Sequence, residues 1–325
     1  MTAPTTRSSE HAITVAAPAQ AVYGIVASAG DWPLHFTPTL HVETLETTGN
    51  EERIRIWATA NEEVKCWTSR RVLDAGALRV RFRQEVSAPP VAFMSGEWHM
   101  TPLDESATRV TLRHEYGAVD DELHSLEWIE KAVDSNSNEE LAKLKNAAEM
   151  VGHLDELLLS FEDSVEIAAP PDAIYTFLQQ AAKWPQRIPH VDRLELTEHA
   201  GVQRMDMDTH TADGSVHTTS SVRICLPPDQ IVYKQVITPA LMTAHTGAWH
   251  LTARPEGTLA TSRHTVLLAS DRVSEVLGPH ATISTARDFV RRALGRNSTV
   301  TLEHAKAYAE AAELGEGAGR EEPCA

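Results

Sequence analysis

The strongest constraint on this chain is that it writes one passage twice. Residues 13–33 read ITVAAPAQAVYGIVASAGDWP, and residues 165–185 read VEIAAPPDAIYTFLQQAAKWP. The two align without a gap, with AAP, a tyrosine (Tyr23, Tyr175) and a closing Trp-Pro in register. Later passages keep the same order. EVKCWTSRRVLD (63–74) answers VHTTSSVRICLP (216–227), which sets Ser69 and Arg71 on Ser221 and Arg223. GEWHMTP (96–102) answers GAWHLTA (247–253), and TLRHEY (111–116) answers ATSRHT (260–265). KNAAEM (145–150) answers KAYAEA (306–311). Short apolar strings that match by chance do not keep a common order. The repeat therefore predicts a tandem duplication with units of about 150 residues. A chain of 325 residues holds two such units, each large enough for its own core.

Each half reads alike. A short strand (10–16, then 162–168) leads to a helix opened by Pro (18–28, then 171–181), the favoured first-turn residue. Trp-Pro is expected to stop that helix, because the residue before Pro is biased away from helical angles. β-rich stretches follow, separated by TGN, DAG, APP and LDES in the first half and HAGV, ADG, LPPD and RPEG in the second. RVTLRHEY and RIRIWAT alternate as strands with one buried face. A long helix closes each half, 121–153 and 284–314, and SNSNEEL offers Asn136 and Asn138 as a start or kink in the first. Strand, short helices, six strands and a long helix predict an α+β fold, a curved antiparallel sheet around one helix with an interior pocket for an apolar ligand. The domains are read as 1–155 and 156–314, almost without a linker, and the Gly/Glu-rich 315–325 as a disordered tail.

With 42% hydrophobic and 23% charged residues, the composition is that of an ordinary globular protein. No apolar run approaches the roughly 20 residues that span a bilayer, so no membrane role is expected. The N-terminus lacks a charged start followed by an apolar core, so no secretory signal is expected. Cys66, Cys225 and Cys324 lie far apart, which points to a reducing, cytoplasmic setting without a disulfide scaffold or metal site. A formal net charge of −17 repels phosphate backbones and argues against a nucleic-acid partner. Phosphate loops, HExxH, GxSxG and dinucleotide fingerprints are absent from the sequence.

Two strand faces carry candidate chemistry. Trp67, Ser69 and Arg71 stand two apart and share a face, as do His217, Thr219, Ser221 and Arg223. Facing inward, each arginine would meet an anionic or carbonyl-rich ligand, since a buried guanidinium needs a partner. The plainer reading makes them surface charges, but that would leave Trp67 an exposed indole. His114 alternates with Val110, Leu112 and Tyr116, and His264 with Ala260, Ser262 and Val266. Either histidine is a core residue or, with an ordinary pKa near neutrality, a proton donor or acceptor. Trp98 and Trp249 are core or pocket wall. Arg79, Arg81 and Arg83 form a basic strip, either a solvated face or a dock for an acidic carrier.

On these residues the chain resembles the didomain aromatase/cyclases of type II polyketide synthases, which have tandem helix-grip domains of START/Bet v 1-like type. The resemblance covers about 10–312. It rests on AAPAQAVYGIV…DWP, WTSRR, FMSGEW and SNSNEEL, then AAPPDAIYTFL…KWP, TTSSVR, TGAW and GRNSTVTL. It implies first-ring cyclisation and dehydrative aromatisation of a ketoreduced poly-β-ketone held on an acyl carrier protein by phosphopantetheine. It implies Arg71, Ser69, His114, Arg223, Ser221 and His264 as catalytic groups. Trp32, Trp67, Trp98, Asn136, Asn138, Trp184, Thr219, Trp249 and Asn297 would bind substrate. Thr219 departs from the pattern, standing where the first half has Trp67. No cofactor is called for, because an arginine can hold the oxyanion of an aldol closure, His or Ser-bound water can move protons, and aromatisation drives the sequence. The alternative is a non-catalytic binder of lipid or polyketide on the same fold, or a chain in which one half is catalytic and the other structural.

Overall fold

Alternating side chains decide which face of each strand is buried, and here they build two separate cores. The computed structural model describes residues 5–60, 63–87, 89–150, 152, 154–210 and 216–318. The chain divides into two compact units, Met1–Leu154 and Asp155–Ala325. The first holds β1 (Arg7–Val15), α1 (Ala19–Ala27), α2 (Trp32–His35), β2 (Thr39–Thr48), β3 (Glu51–Ala60), β4 (Glu63–Asp74), β5 (Arg79–Val86), β6 (Val91–Pro102), β7 (Thr108–Ala118) and α3 (Leu123–Glu149). Its seven strands lie in the order β1-β7-β6-β5-β4-β3-β2. The pairs within it are antiparallel, so the sheet is a meander whose last strand returns to pair with the first.

The second unit repeats the plan. A single-turn α4 (Leu154–Leu157) runs directly into β8 (Leu158–Ile167). Then come α5 (Pro171–Gln179), α6 (Trp184–Arg187), β9 (Val191–His199), β10 (Val202–His210), β11 (Val216–Leu226), β12 (Gln230–Ile237), β13 (Met242–Arg254), β14 (Gly257–Leu268), α7 (Val273–Leu277) and α8 (Ile283–Ala318). Strand order is again closed by first against last, β8-β14-β13-β12-β11-β10-β9.

Each long helix lays one stripe on its sheet. Leu126, Ile129, Val133, Ser137, Leu141, Leu144 and Ala148 of α3 are buried at three- and four-residue spacing. In α8, Ala286, Val290, Leu302, Ala305 and Ala309 do the same. This is the helix-grip arrangement expected from the residues. Among the described residues, no helix is long and apolar enough to cross a membrane.

Three local expectations are corrected. Trp-Pro does not stop the first helix; it begins a new turn, α2 or α6, after α1 or α5 has already ended. Pro is tolerated in a first turn because its missing N–H would have no partner there. Asn136 and Asn138 neither start nor kink α3, which runs unbroken from Leu123 to Glu149 because tertiary packing of its stripe outweighs their low propensity. Of the tail read as disordered from 315, residues 315–318 continue α8, carried by the preceding Ala- and Glu-rich turns. Residues 319–325 lie outside those described.

Candidate functional site

The duplicated passages meet in space as one clamp at a helix end. The last carbonyls of a helix lack intrahelical partners and attract cations. Arg71 Nη1 donates to Val26 O at 3.0 Å, and its Nη2 donates to Ala27 O at 2.8 Å and to Glu52 Oε2 at 2.5 Å. The guanidinium lies over the Trp32 ring at 5.0 Å, while the indole N–H donates to Val26 O at 3.2 Å. In the second unit Arg223 Nη2 donates to Leu178 O at 2.6 Å, and Trp184 lies 5.0 Å beneath it. Trp184 Nε1 donates to Phe177 O at 3.3 Å. The Trp-Pro turn and the Ser-x-Arg strand thus form one structural joint, built twice.

The two joints differ in charge. Glu52, opposite Arg71 on β3, has Gln203 in its place on β10, opposite Arg223. Gln203 Oε1 accepts from Arg223 Nη1 at 2.8 Å, and Gln203 Nε2 donates to Glu198 Oε2 at 2.9 Å. Burial lowers the basicity of both guanidinium groups; in Arg71 the Glu52 carboxylate opposes it. Arg71 and Arg223 are 2% and 1% exposed, so the surface reading of both is excluded. Most of their donors serve the fold. In Arg71 the Nε–H is buried without a partner among the described residues.

A cavity of about 260 Å³ opens inside the first unit. The sheet side supplies Trp67, Ser69 and Arg71 of β4, Trp98 of β6 and His114 of β7, with Trp32 beside them. Helix α3 supplies Trp128, Ile129, Val133, Asn136, Ser137 and Glu140. Ser69 Oγ donates to Arg83 O at 3.1 Å, at an irregularity in the β4–β5 pairing. Ser137 Oγ stands 3.5 Å from His114 Nδ1, and the Phe82 ring meets His114 edge-on at 5.5 Å. Burial, helped by His11, holds His114 down to about 4, so the imidazole is neutral at pH 7. Asn138 is not part of this wall. It is exposed, and its Nδ2 donates to Asp134 O one turn back at 2.8 Å. Sequence reading missed Ser137 and Glu140. The signal that finds them is the phase of the α3 stripe, which passes through 129, 133, 137, 141 and 144.

In the second unit the matching side chains hold one another. Tyr233 stands opposite Arg223 as Phe82 stands opposite Arg71, and Gly247 faces His264 as Gly96 faces His114. Tyr233 OH lies 3.2 Å and His245 Nε2 3.0 Å from His264 Nδ1. Ser262 Oγ lies 3.2 Å from His264 Nε2. His264 also stacks on Phe161 at 5.0 Å and on His245 at 5.3 Å. Burial holds His264 down to about 4 and His245 well below its usual value, so both rings are neutral. Gly247 is required here, because a Cβ would sit 2.2 Å from the Tyr233 ring. Thr219 and Ser221 are buried; Trp184 and Trp249 belong to the apolar core, while His217 is exposed. Asn297 is half-buried on α8, beside the buried Ser298.

Residues 15–121 and 167–286 each match the family of polyketide cyclase / dehydrase and lipid transport proteins. The granaticin polyketide synthase bifunctional cyclase/dehydratase of Streptomyces violaceoruber is 45% identical over 312 residues, covering 95% of this chain and 96% of that protein. The actinorhodin polyketide synthase bifunctional cyclase/dehydratase of Streptomyces coelicolor is 44% identical over 310 residues, covering 92% and 96%. The crystal structure of the di-domain ARO/CYC BexL from the BE-7585A biosynthetic pathway superposes with a TM-score of 0.85 at 51% identity, covering 94% of this chain and 99% of that one. The di-domain ARO/CYC StfQ from the steffimycin biosynthetic pathway gives 0.84 at 36% identity, with the same coverage. The chain therefore belongs to the polyketide cyclase/dehydrase and lipid transport family, as one of its tandem aromatase/cyclase members.

Proposed function

We propose that the first unit's cavity is where this enzyme closes and dehydrates a ring, on a ketoreduced poly-β-ketone delivered by an acyl carrier protein. In this reading the second unit is a folded support. The observation that carries it is the contrast between the two histidines. Among the described residues, His114 borders the cavity with only Ser137 on Nδ1, whereas His264 has both ring nitrogens engaged by Tyr233, His245 and Ser262.

The chemistry suits the groups. Ring closure joins an enolate carbon to a carbonyl carbon, and charge develops on the carbonyl oxygen. Arg71, which lines the cavity, favours charge on that oxygen through its guanidinium in a site of low dielectric. Neutral His114 removes the proton from carbon. The Trp67, Trp98 and Trp32 walls fold the chain so that the reacting carbons meet, an orientation effect. A phosphopantetheine arm would enter past the half-buried Lys65 and the exposed Trp128 at the cavity's edge.

The test is reconstitution with a minimal synthase, its carrier and a ketoreductase, comparing His114→Ala with His264→Ala. Loss of the aromatic product in His114→Ala alone is expected. Loss in His264→Ala at undiminished stability would move the reaction to the second unit. Retention of bound polyketide without turnover by the wild type would instead support a carrier of apolar ligands.

A further inference from the structure

Gln84 of β5 lines the cavity, and the two ends of its amide have unequal partners. The β4–β5 register sets Phe82 opposite Arg71 and Gln84 opposite Ser69, one inward step nearer the edge at Lys65. That step is roughly 7 Å along the strand. Ser87 Oγ donates to Gln84 Oε1 at 2.9 Å, which fixes the amide plane. Gln84 Nε2 donates to Met94 Sδ at 3.7 Å, and a thioether is a weak acceptor that cannot donate in return. The second N–H of that amide has no acceptor among the described residues. Ser69, across the strand pair, gives its hydroxyl proton to Arg83 O, and Lys65 is held by Glu63 at 2.6 Å. At this level of the wall the free donor is the Gln84 amide.

The repeat shows that packing does not impose this arrangement. Gln235 stands opposite Ser221 as Gln84 stands opposite Ser69. There Thr238 takes the place of Ser87, but its hydroxyl donates to Met242 O at 2.7 Å. Gln235 Oε1 is buried without a partner among the described residues. The pinned amide belongs to the first unit.

We propose that Gln84 is a substrate-binding residue that sets which carbons meet: its amide N–H donates to a carbonyl oxygen on the thioester side of the carbonyl polarised by Arg71. This rests on the reading that the first unit's cavity is the reaction site. With its oxygen taken by Ser87, the amide offers donors only, and a poly-β-ketone offers an acceptor at every second carbon. With C–C bonds of about 1.5 Å, carbonyl carbons recur about 2.5 Å apart in an extended chain, so roughly 7 Å spans about three repeats. One donor leaves the rest of the chain free to fold. A second at fixed separation limits how many carbons lie between the held oxygens, and hence which methylene reaches the carbonyl at Arg71. The group is neutral, as its ligand is, so it needs no counter-ion in the apolar wall.

The experiment gives the full-length protein two substrates: a linear reduced poly-β-ketone on its carrier, and a short cyclic β-hydroxy ketone thioester whose dehydration is read by ultraviolet absorbance. Gln84→Leu is expected to raise KM for the linear substrate about tenfold and to divert product into rings closed between other carbons, resolved by chromatography and NMR. Dehydration of the cyclic substrate, which is too short to span both donors, stays within about twofold. Ser87→Ala frees the amide to turn and moves KM and product in the same direction, by about threefold. Wild-type KM and a single product from Gln84→Leu overturn the proposal, as does equal loss on both substrates. If His114→Ala is impaired on the cyclic substrate while Gln84→Leu matches the wild type on both, this proposal alone fails. If both variants match the wild type throughout, the cavity is not the reaction site. Should Gln84→Leu not fold, side-chain amide NMR of the wild type decides, with a linear mimic lacking the carbonyl that closes the ring. A downfield move of one Gln84 N–H proton on binding supports the contact, and an unmoved resonance overturns it.

Discussion

Acidification from pH 8 to pH 5 should loosen the second unit and leave the first nearly unchanged. His264 falls from 6.5 to about 4 because folding buries it. A histidine lowered in the folded state contributes fully above its unfolded value, and that contribution is lost as pH drops from 6.5 toward 4. At pH 5 the loss from His264 alone is about 2 kcal/mol. His245 has the same sign and shares a contact of 3.0 Å with it, so the two titrate as a pair. In the first unit His114 also loses about 2 kcal/mol at pH 5. Glu140 works the other way. Its carboxyl is raised, so its contribution is full below the unfolded value, is lost as pH rises through 7, and returns about 2.5 kcal/mol on acidification to pH 5. In the first unit the Glu140 gain offsets the His114 loss, and His35, lowered by burial, adds a loss of the same sign. The assay is urea denaturation at each pH, followed by a brief deuterium pulse at one common pH and peptide mass spectrometry. Peptides from β11–β14 should show a midpoint lower by about 1 M urea at pH 5, taking a slope of about 2 kcal/mol/M. Peptides from β4–β7 should barely move. Equal shifts in both units, or none in the second, would refute the assignment of opposing titrations.

Two further outcomes are expected. Gly96→Ala places a Cβ 2.2 Å from Arg113 O and 2.4 Å from the Phe82 ring; because one of these is backbone, the substitution should cost about 2 kcal/mol by calorimetry. Ser137→Ala removes the hydroxyl beside His114 Nδ1 and should lower kcat about fivefold, whereas Asn138→Ala, which loses only a bond within its own helix turn, should turn over normally.

What the sequence made legible follows from period and repetition. Alternation along TLRHEY put His114 on the side of Val110 and Leu112, and both of those are fully buried. Two-residue spacing put Ser69 and Arg71 on the side of Trp67. The helix was harder. SNSNEEL offers several polar residues in succession, and polarity does not say which one faces inward; only the phase of Ile129, Val133 and Leu141 selects Ser137 and Glu140. The partners of Arg71 were hidden for a different reason. Val26 O and Ala27 O are backbone atoms, presented by the end of a helix rather than by any residue type. The filling of the second unit lay in Tyr233, His245 and Ser262, which stand on three strands and become neighbours only once the register is known.

The clamp at the end of α1 and α5 has a practical corollary. It ties helix to sheet through main-chain carbonyls and an indole in both halves, whereas the two interiors differ at Phe82 and Tyr233, Met94 and His245, Leu112 and Ser262. The chassis and the upholstery are thus specified by different residues. A chain so arranged can be refitted one chamber at a time, with the other half as a ready template of what the same chassis tolerates. Moving side chains across the repeat, rather than importing them from elsewhere, is the economical route to reshaping the second unit's interior.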